Sequence, residues 1–384
     1  MGTFTTINLK VASFLKTFKL KLSQSNQKLF NILIQRLADS QTPNCPLASS
    51  PRSLFILRNN DIGDLLVITP LFEALRDRFP DTKIAVGVGN WNRDVLKHNP
   101  YIDEIIPINA PWFNKVIPGQ SIFAKLNYLI FSPEVQVLRQ QQFEVGIDIL
   151  GSRWGALLLL QAGIPYRLGM KSFAGGEGAM QACVTYNPQE KVSRSALRFA
   201  ELLGAKNLPT PRPQIFLTPE ERQQGEKLWQ QNQGKIRLVI APGSGLENKY
   251  WPLDYYQKLV TLLTQNNDLK IAIVGGKSDR AAGQKLQQEN SKIKDLTGKT
   301  SLRETFALIA TADRVICNSS MTLHVAAAFE KPTIVLLGES FPSRQEHDAQ
   351  WGYDDGYYSL GKEIDRREHI ATPDEAIALW QKIR

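Results

Sequence analysis

The chain is 384 residues long, 42% hydrophobic and 22% charged; that balance is a globular protein's, excludes a disordered or fibrous chain, and at this length points to two domains rather than one core. Its three cysteines and four histidines are too few and too scattered for a disulfide framework or a zinc site, so the chain reads as cytoplasmic and metal-free. A net charge of +9 suggests a nucleic-acid partner only until the basic residues are placed.

Residues 1–53 hold Lys10, Lys16, Lys19, Lys21, Lys28, Arg36 and Arg52 against Asp39 alone. Most of the excess therefore belongs to an N-terminal extension, residues 1–52. Nucleic-acid binding would need basic residues interleaved with aromatics across a core surface, so that partner is disfavoured. Phe14, Leu15, Phe18, Leu22, Phe30, Leu33 and Ile34 stand among the lysines, without an uninterrupted apolar run long enough to span a bilayer or serve as a signal peptide. Two readings stand. Residues 1–40 form a basic helix lying on a membrane surface, or a helix that packs its apolar face on the body and shows its lysines to water. A linker rich in proline and serine follows, from Thr42 to Pro51.

Ordered α/β sequence begins near Ser53. Short apolar runs at 53–58, 83–88, 104–108 and 143–150 read as strands, and segments such as 64–79 and 153–162 read as helices. Within the first of these helices Leu65, Ile68, Phe72, Leu75 and Phe79 recur at spacings of three and four, which is one helical face. Leu208-Pro209-Thr210-Pro211-Arg212-Pro213 is the densest proline cluster and reads as the connection between domains. A second series then predicts strands at 237–241, 270–274, 314–317 and 333–337, with helices at 253–264, 280–289, 301–311 and 323–329. The alternation argues parallel sheets with covering helices. The expected architecture is α/β, with residues 53–213 and 214–384 forming two doubly wound, Rossmann-like domains that face each other across a cleft. Neither half carries Gly-x-Gly-x-x-Gly after its first strand, and the chain has no P-loop and no Gly-x-Ser-x-Gly elbow. A dehydrogenase, a P-loop NTPase and an α/β-hydrolase are therefore disfavoured.

Four corners carry chemistry. After the first strand, Arg58-Asn59-Asn60-Asp61-Ile62-Gly63-Asp64 projects carboxylates from the carboxyl edge of the sheet, where open α/β sheets hold ligands. Asp64 stands where a catalytic base would; it equally suits a helix-start residue. After the strand at 237–241 comes Pro242-Gly243-Ser244-Gly245, followed by Lys249 and Trp251-Pro252. Small residues expose backbone amides to an anion and the lysine adds a mobile cation, which makes a diphosphate cradle; the other reading is a tight turn with Lys249 in water. Asp279, just past the next strand tip, can accept from ribose hydroxyls or cap the helix behind it. The strand at 314–317 runs into Asn318-Ser319-Ser320-Met321-Thr322-Leu323-His324. Hydroxyls and helix-start amides there suit a diphosphate, and His324 either donates to it or serves as a structural hydrogen-bonder.

At these residues the chain resembles glycosyltransferase family 9, the bacterial heptosyltransferase family. Four features match in order: Arg58 to Asp64 with Thr69-Pro70; Asp148 to Gly169; Pro242-Gly243-Ser244 with Lys249 and Trp251-Pro252; and Asn318 to Gly338 with His324 and Lys331-Pro332. The likeness covers roughly residues 53–340. It implies the two-domain GT-B fold, with the acceptor on the first domain and a nucleotide-sugar on the second. It further implies Asp64 as catalytic base, Lys249 as diphosphate ligand and Asp279 as ribose ligand. Gly243, Ser244, Ser319, Ser320, Met321 and His324 complete the donor side, while Arg58, Asp61 and Arg153 stand on the acceptor side. Family members are metal-independent, inverting enzymes that use ADP-heptose and extend lipopolysaccharide core. The resemblance thus implies an ADP-linked nucleotide-sugar co-substrate with no further cofactor, a glycolipid or glycan acceptor, and a peripheral place on the inner face of the cytoplasmic membrane. One departure stands out. The family pattern reads Asn-Asp-Ser-Gly or Val-Asp-Thr-Gly before the histidine, where this chain has Asn318-Ser319-Ser320-Met321, which loses a carboxylate and puts a side chain on the glycine. A non-catalytic sugar-nucleotide-binding or scaffold protein of the same fold is the competing reading.

Overall fold

The computed structural model describes residues 50–229, 236–265, 268–290, 293–363 and 369–383, with Ile32 and Arg36. Apart from those two positions and residues 50–52, the N-terminal extension lies outside the described residues, and so do both readings of residues 1–40. Among the described residues twelve strands form two sheets of six. The first holds β1 (Ser53–Leu57), β2 (Lys83–Val88), β3 (Glu104–Pro107), β4 (Val145–Asp148), β5 (Tyr166–Lys171) and β6 (Ala182–Thr185) in the order β3-β2-β1-β4-β5-β6. The second holds β7 (Ile236–Ala241), β8 (Leu269–Ile273), β9 (Lys294–Asp295), β10 (Arg314–Asn318), β11 (Thr333–Leu336) and β12 (Tyr357–Leu360) in the order β12-β11-β10-β7-β8-β9. Every pairing within them is parallel. Helices cover both faces of such a sheet, so its central strands read as unbroken apolar runs; Leu54, Phe55 and Ile56 are fully buried for that reason. The strand order reverses between β1 and β4 and again between β7 and β10, the crevices where doubly wound sheets take ligands.

The helix expected over 64–79 is two helices, Ile62–Leu66 and Pro70–Arg78. Pro70 has no N–H to continue the ladder, and the Thr69 hydroxyl donates to the Leu66 carbonyl at 2.7 Å, taking its place. The apolar face survives the break, because Leu65, Ile68, Phe72, Leu75 and Phe79 are all at most 2% exposed. Four strands lie outside the apolar runs read from sequence: β5, β6, β9 and β12. β5 carries Arg167 as its second residue, buried at 1% exposure. Its guanidinium donates to the carbonyls of Ala179 at 2.8 Å and Ile164 at 2.6 Å, which lets a charged residue sit in a parallel strand.

The halves touch where the helix Ile62–Leu66 packs on the helix Met321–Ala328. A Cβ placed on Gly63 would lie 3.2 Å from the His324 ring. A second bridge runs from Arg303: held within its own half by Glu221 at 2.5 Å and by the Phe216 carbonyl at 2.6 Å, it donates across to the Asp94 carbonyl at 3.3 Å. The chain just past the proline cluster is tied down as well, with the Gln214 N–H donating to the Thr69 hydroxyl at 2.7 Å.

Candidate active site

The loop after β1 faces the loops after β7 and β10 across a cavity of about 280 Å³. Asp61, Gly63, Asp64, Trp91, Lys115 and Val116 line it from the first half; Ser244, Gly245, Lys249, Ser319, Ser320, Met321, His324 and Trp351 line it from the second.

Asp64 is the third residue of its short helix. Its Oδ1 lies 3.2 Å from Arg58 Nη2, its carbonyl accepts from Arg58 Nε at 3.1 Å, and its Oδ2 accepts the Asp61 N–H at 3.3 Å. With one flank held in this way the carboxylate still keeps its side chain 32% exposed toward the cavity. Arg58, expected at the acceptor, is only 5% exposed and stands behind Asp64. Its N–H bonds the Gly87 carbonyl of β2 at 2.9 Å, so the sheet itself positions the guanidinium. Asp61 binds Lys115 twice: the ammonium at 3.0 Å and the backbone N–H at 3.2 Å. Lys115 in turn reaches the other half, its Nζ 2.6 Å from where a Cβ on Gly245 would be. Trp91 is fixed by donating to the Asn60 carbonyl at 2.8 Å.

Lys249 closes a one-turn helix, Glu247–Lys249. Burial pushes its pKa down and Lys115 adds to that, while Asp64 and Asp61 act in the opposite sense; two carboxylates and two cations share one cavity. The tight-turn reading of this loop holds for Trp251, 1% exposed and donating from its indole to the Ala371 carbonyl at 2.7 Å, but Lys249 is turned into the cavity and not into water. Asn318 locks the floor. Its amide oxygen accepts from the Trp251 N–H at 3.2 Å and the Tyr256 hydroxyl at 3.0 Å, and its amide nitrogen donates to the Pro242 carbonyl at 2.5 Å. The helix Met321–Ala328 therefore starts at the cavity edge, with Ser320 as its N-terminal flank.

His324 shares a 2.7 Å hydrogen bond with the Tyr353 hydroxyl through Nδ1. Burial pushes its pKa down to about 3, with His347 and Lys249 adding to the effect, so the ring is neutral. Gly243, Asp279 and Arg153 are not among the lining residues. Asp279 accepts the Gly276 N–H at 2.7 Å, and its carboxyl fills the space a Cβ on Gly243 would take, which puts it behind the loop. It makes no capping bond to the Arg280–Glu289 helix. Arg153 begins the helix Arg153–Gln161, at the edge of the first sheet. Trp91, Lys115, Val116 and Trp351 were not legible as site residues, since each sits in an irregular loop or at a helix end with no motif around it. Among the described residues no group of three or more His, Cys, Asp or Glu is placed to hold a metal ion, and no helix is long and apolar enough to cross a membrane.

Two doubly wound domains meeting at their switch points, a carboxylate from one opposite a lysine and a helix start from the other, define a GT-B glycosyltransferase. Residues 135–362, more than half of the chain, match the model of glycosyltransferase family 9 (heptosyltransferase), and the chain belongs to that family. Lipopolysaccharide heptosyltransferase 2 of Escherichia coli K12 is 26% identical over 302 residues, covering 73% of this chain and 81% of that one. Among solved structures, the E. coli ADP-heptose lps heptosyltransferase II superposes with a TM-score of 0.67 at 20% identity, covering 86% of this chain and 98% of that one. A glycosyl transferase family 9 protein from Veillonella parvula superposes with a TM-score of 0.71 at 18% identity, covering 88% and 98%.

Proposed function

We propose that the protein transfers heptose from ADP-heptose to a lipopolysaccharide-type acceptor, with inversion and without a metal ion. The donor and acceptor follow the names of the relatives, lipopolysaccharide heptosyltransferase 2 and ADP-heptose lps heptosyltransferase II. One observation carries the mechanism: Asp64 and Lys249 line the same cavity from opposite halves. The Asp64 carboxylate takes the proton of the acceptor hydroxyl as that oxygen bonds the anomeric carbon. The anomeric carbon–oxygen bond to the diphosphate breaks on the far side, and its electron pair leaves with ADP. A base on one side and a leaving group on the other is the geometry of inversion. A carboxylate suffices as base because the hydroxyl proton becomes acidic only as the new bond forms. Charge on the departing diphosphate is offset by Lys249 and by the amino end of the Met321–Ala328 helix, a positioned electrostatic role that needs no divalent ion.

Asp64→Asn keeps the shape of the side chain and removes the base. Turnover should fall about 10²–10⁴-fold, while the dissociation constant for ADP stays within about twofold, measured by calorimetry on the same preparation. Turnover near that of the unsubstituted enzyme would remove Asp64 from the base role.

A further inference from the structure

Joined to the cavity wall through Ser319 lies a buried polar chain that the transfer mechanism does not use. The His347 side chain is fully buried. Its Nε2 is 2.9 Å from the Ser319 hydroxyl, and its Nδ1 is 3.0 Å from both Asp348 Oδ1 and the Tyr357 hydroxyl. Tyr357 donates to Asp348 Oδ1 at 2.5 Å, and Ser359 donates to Asp348 Oδ2 at 2.6 Å. Phe341 closes the remaining side, its ring centroid 4.6 Å from that of His347.

The protons in this chain can be counted. A phenol has one proton, and that of Tyr357 is spent on Asp348. Nδ1 can then bond Asp348 and Tyr357 only by donating its own proton. A neutral imidazole protonated on Nδ1 has a bare Nε2, an acceptor. The Ser319 hydroxyl must therefore donate to it, which uses the one proton Ser319 has. Burial pushes the pKa of His347 down, against the pull of Asp348 and with Lys249 adding to the fall, so the ring stays neutral. Burial pushes Asp348 up, but its bonds from His347, Ser359 and Tyr357 outweigh this and hold it below its ordinary value as a carboxylate.

We infer that Ser319 is locked as a hydrogen-bond acceptor toward the cavity, and that it selects a hydroxyl of the donor sugar and not a phosphate oxygen. Phosphate oxygens are themselves acceptors, so the Ser319 oxygen repels them and leaves the diphosphate to Lys249 and the helix start. A sugar hydroxyl supplies the proton that Ser319 lacks. His347, Asp348 and Tyr357 are positioning residues that make this serine an acceptor toward the cavity. The assignment rests on the proposed nucleotide-sugar reading of the cavity and deepens it.

The test is calorimetric titration of the full chain and of Ser319→Ala with ADP-heptose and, separately, with ADP. Loss of one sugar-hydroxyl bond should weaken ADP-heptose about tenfold and ADP less than about twofold. The retained ADP affinity is the control for folding, and it is a readout that a merely structural serine would not split. Equal loss of both ligands in Ser319→Ala, or loss of neither, overturns the assignment while leaving the donor reading intact. An unsubstituted protein that binds ADP but not ADP-heptose overturns the donor reading itself, and the assignment with it. Covalent capture of Ser319 by a fluorophosphonate also overturns it, because the hydroxyl would then be a nucleophile and not a locked acceptor.

Discussion

Asp64 owes its orientation to a residue six positions earlier. Arg58 leaves the end of β1, is held by the Gly87 carbonyl, and grips both the side chain and the carbonyl of Asp64. A guanidinium offers donors in a fixed fork, so one side chain sets the position and the rotation of another. Arg58→Met should keep the chain folded, since the methionine fills the aliphatic part of the space, and should lower kcat by about 10²-fold through misplacement of the base. Steady-state kinetics would show the fall in kcat with the dissociation constant for ADP unchanged; an unaltered kcat would show that Asp64 needs no brace. His324 illustrates the opposite case. Its position in the motif was legible, but its neutrality was not, because that follows from burial and from Lys249 and His347, residues distant in sequence.

Elements were legible where their signals are local. The helix Leu253–Thr264 begins right after Pro252, as its proline and apolar spacing predict. The break at Thr69-Pro70 is also a local signal, and reading across it merged two helices into one. Strand β5 was missed because Arg167 is compatible with burial only where carbonyls accept its protons: that of Ile164, three positions earlier, and that of Ala179, twelve positions on, which no local pattern announces. Asn318 acts at this scale too, joining the end of β10 to the loop after β7 and to the segment carrying Trp251 and Tyr256. Asn318→Ala leaves a buried N–H and a buried hydroxyl without their acceptor, at about 1–3 kcal/mol each. Urea denaturation should show a stability loss of about 3 kcal/mol with the slope unchanged; a loss below about 1 kcal/mol would mean the cradle stands without this latch.

Within the second half the ion pair of Glu221 and Arg303 joins the helix Pro219–Trp229 to the helix Leu302–Ala310 and holds the arginine that reaches Asp94 of the first half, with side chains only 14% and 9% exposed. The hydrogen bond from Arg303 holds the Glu221 carboxyl down at about 2, against an ordinary 4.5. A folded-state pKa below the unfolded one gives stability that is present above pH 4.5 and lost as pH falls from there toward 2. Glu221→Gln removes the charge and leaves Arg303 buried beside a neutral partner, a change that costs about 3 kcal/mol at pH 7. Thermal melts across pH 2–5 should show a steep acid limb in the unsubstituted protein that is shallower in the variant; identical limbs would place the acid sensitivity elsewhere.

The sequence by itself determined the class of fold, the eight strands that are unbroken apolar runs, and the loops that carry Asp64, Lys249 and Ser319. Those features are written in local periodicity and in the glycines and prolines that interrupt it, so neighbouring residues suffice to read them. Only the tertiary structure decided which side chains meet in the cavity. Lys115 comes to Asp61 across 54 positions and His347 to Ser319 across 28, and such contacts arise from parallel strand order and the docking of two sheets. No spacing along the chain encodes them, because folding brings those loops together through the burial of residues elsewhere.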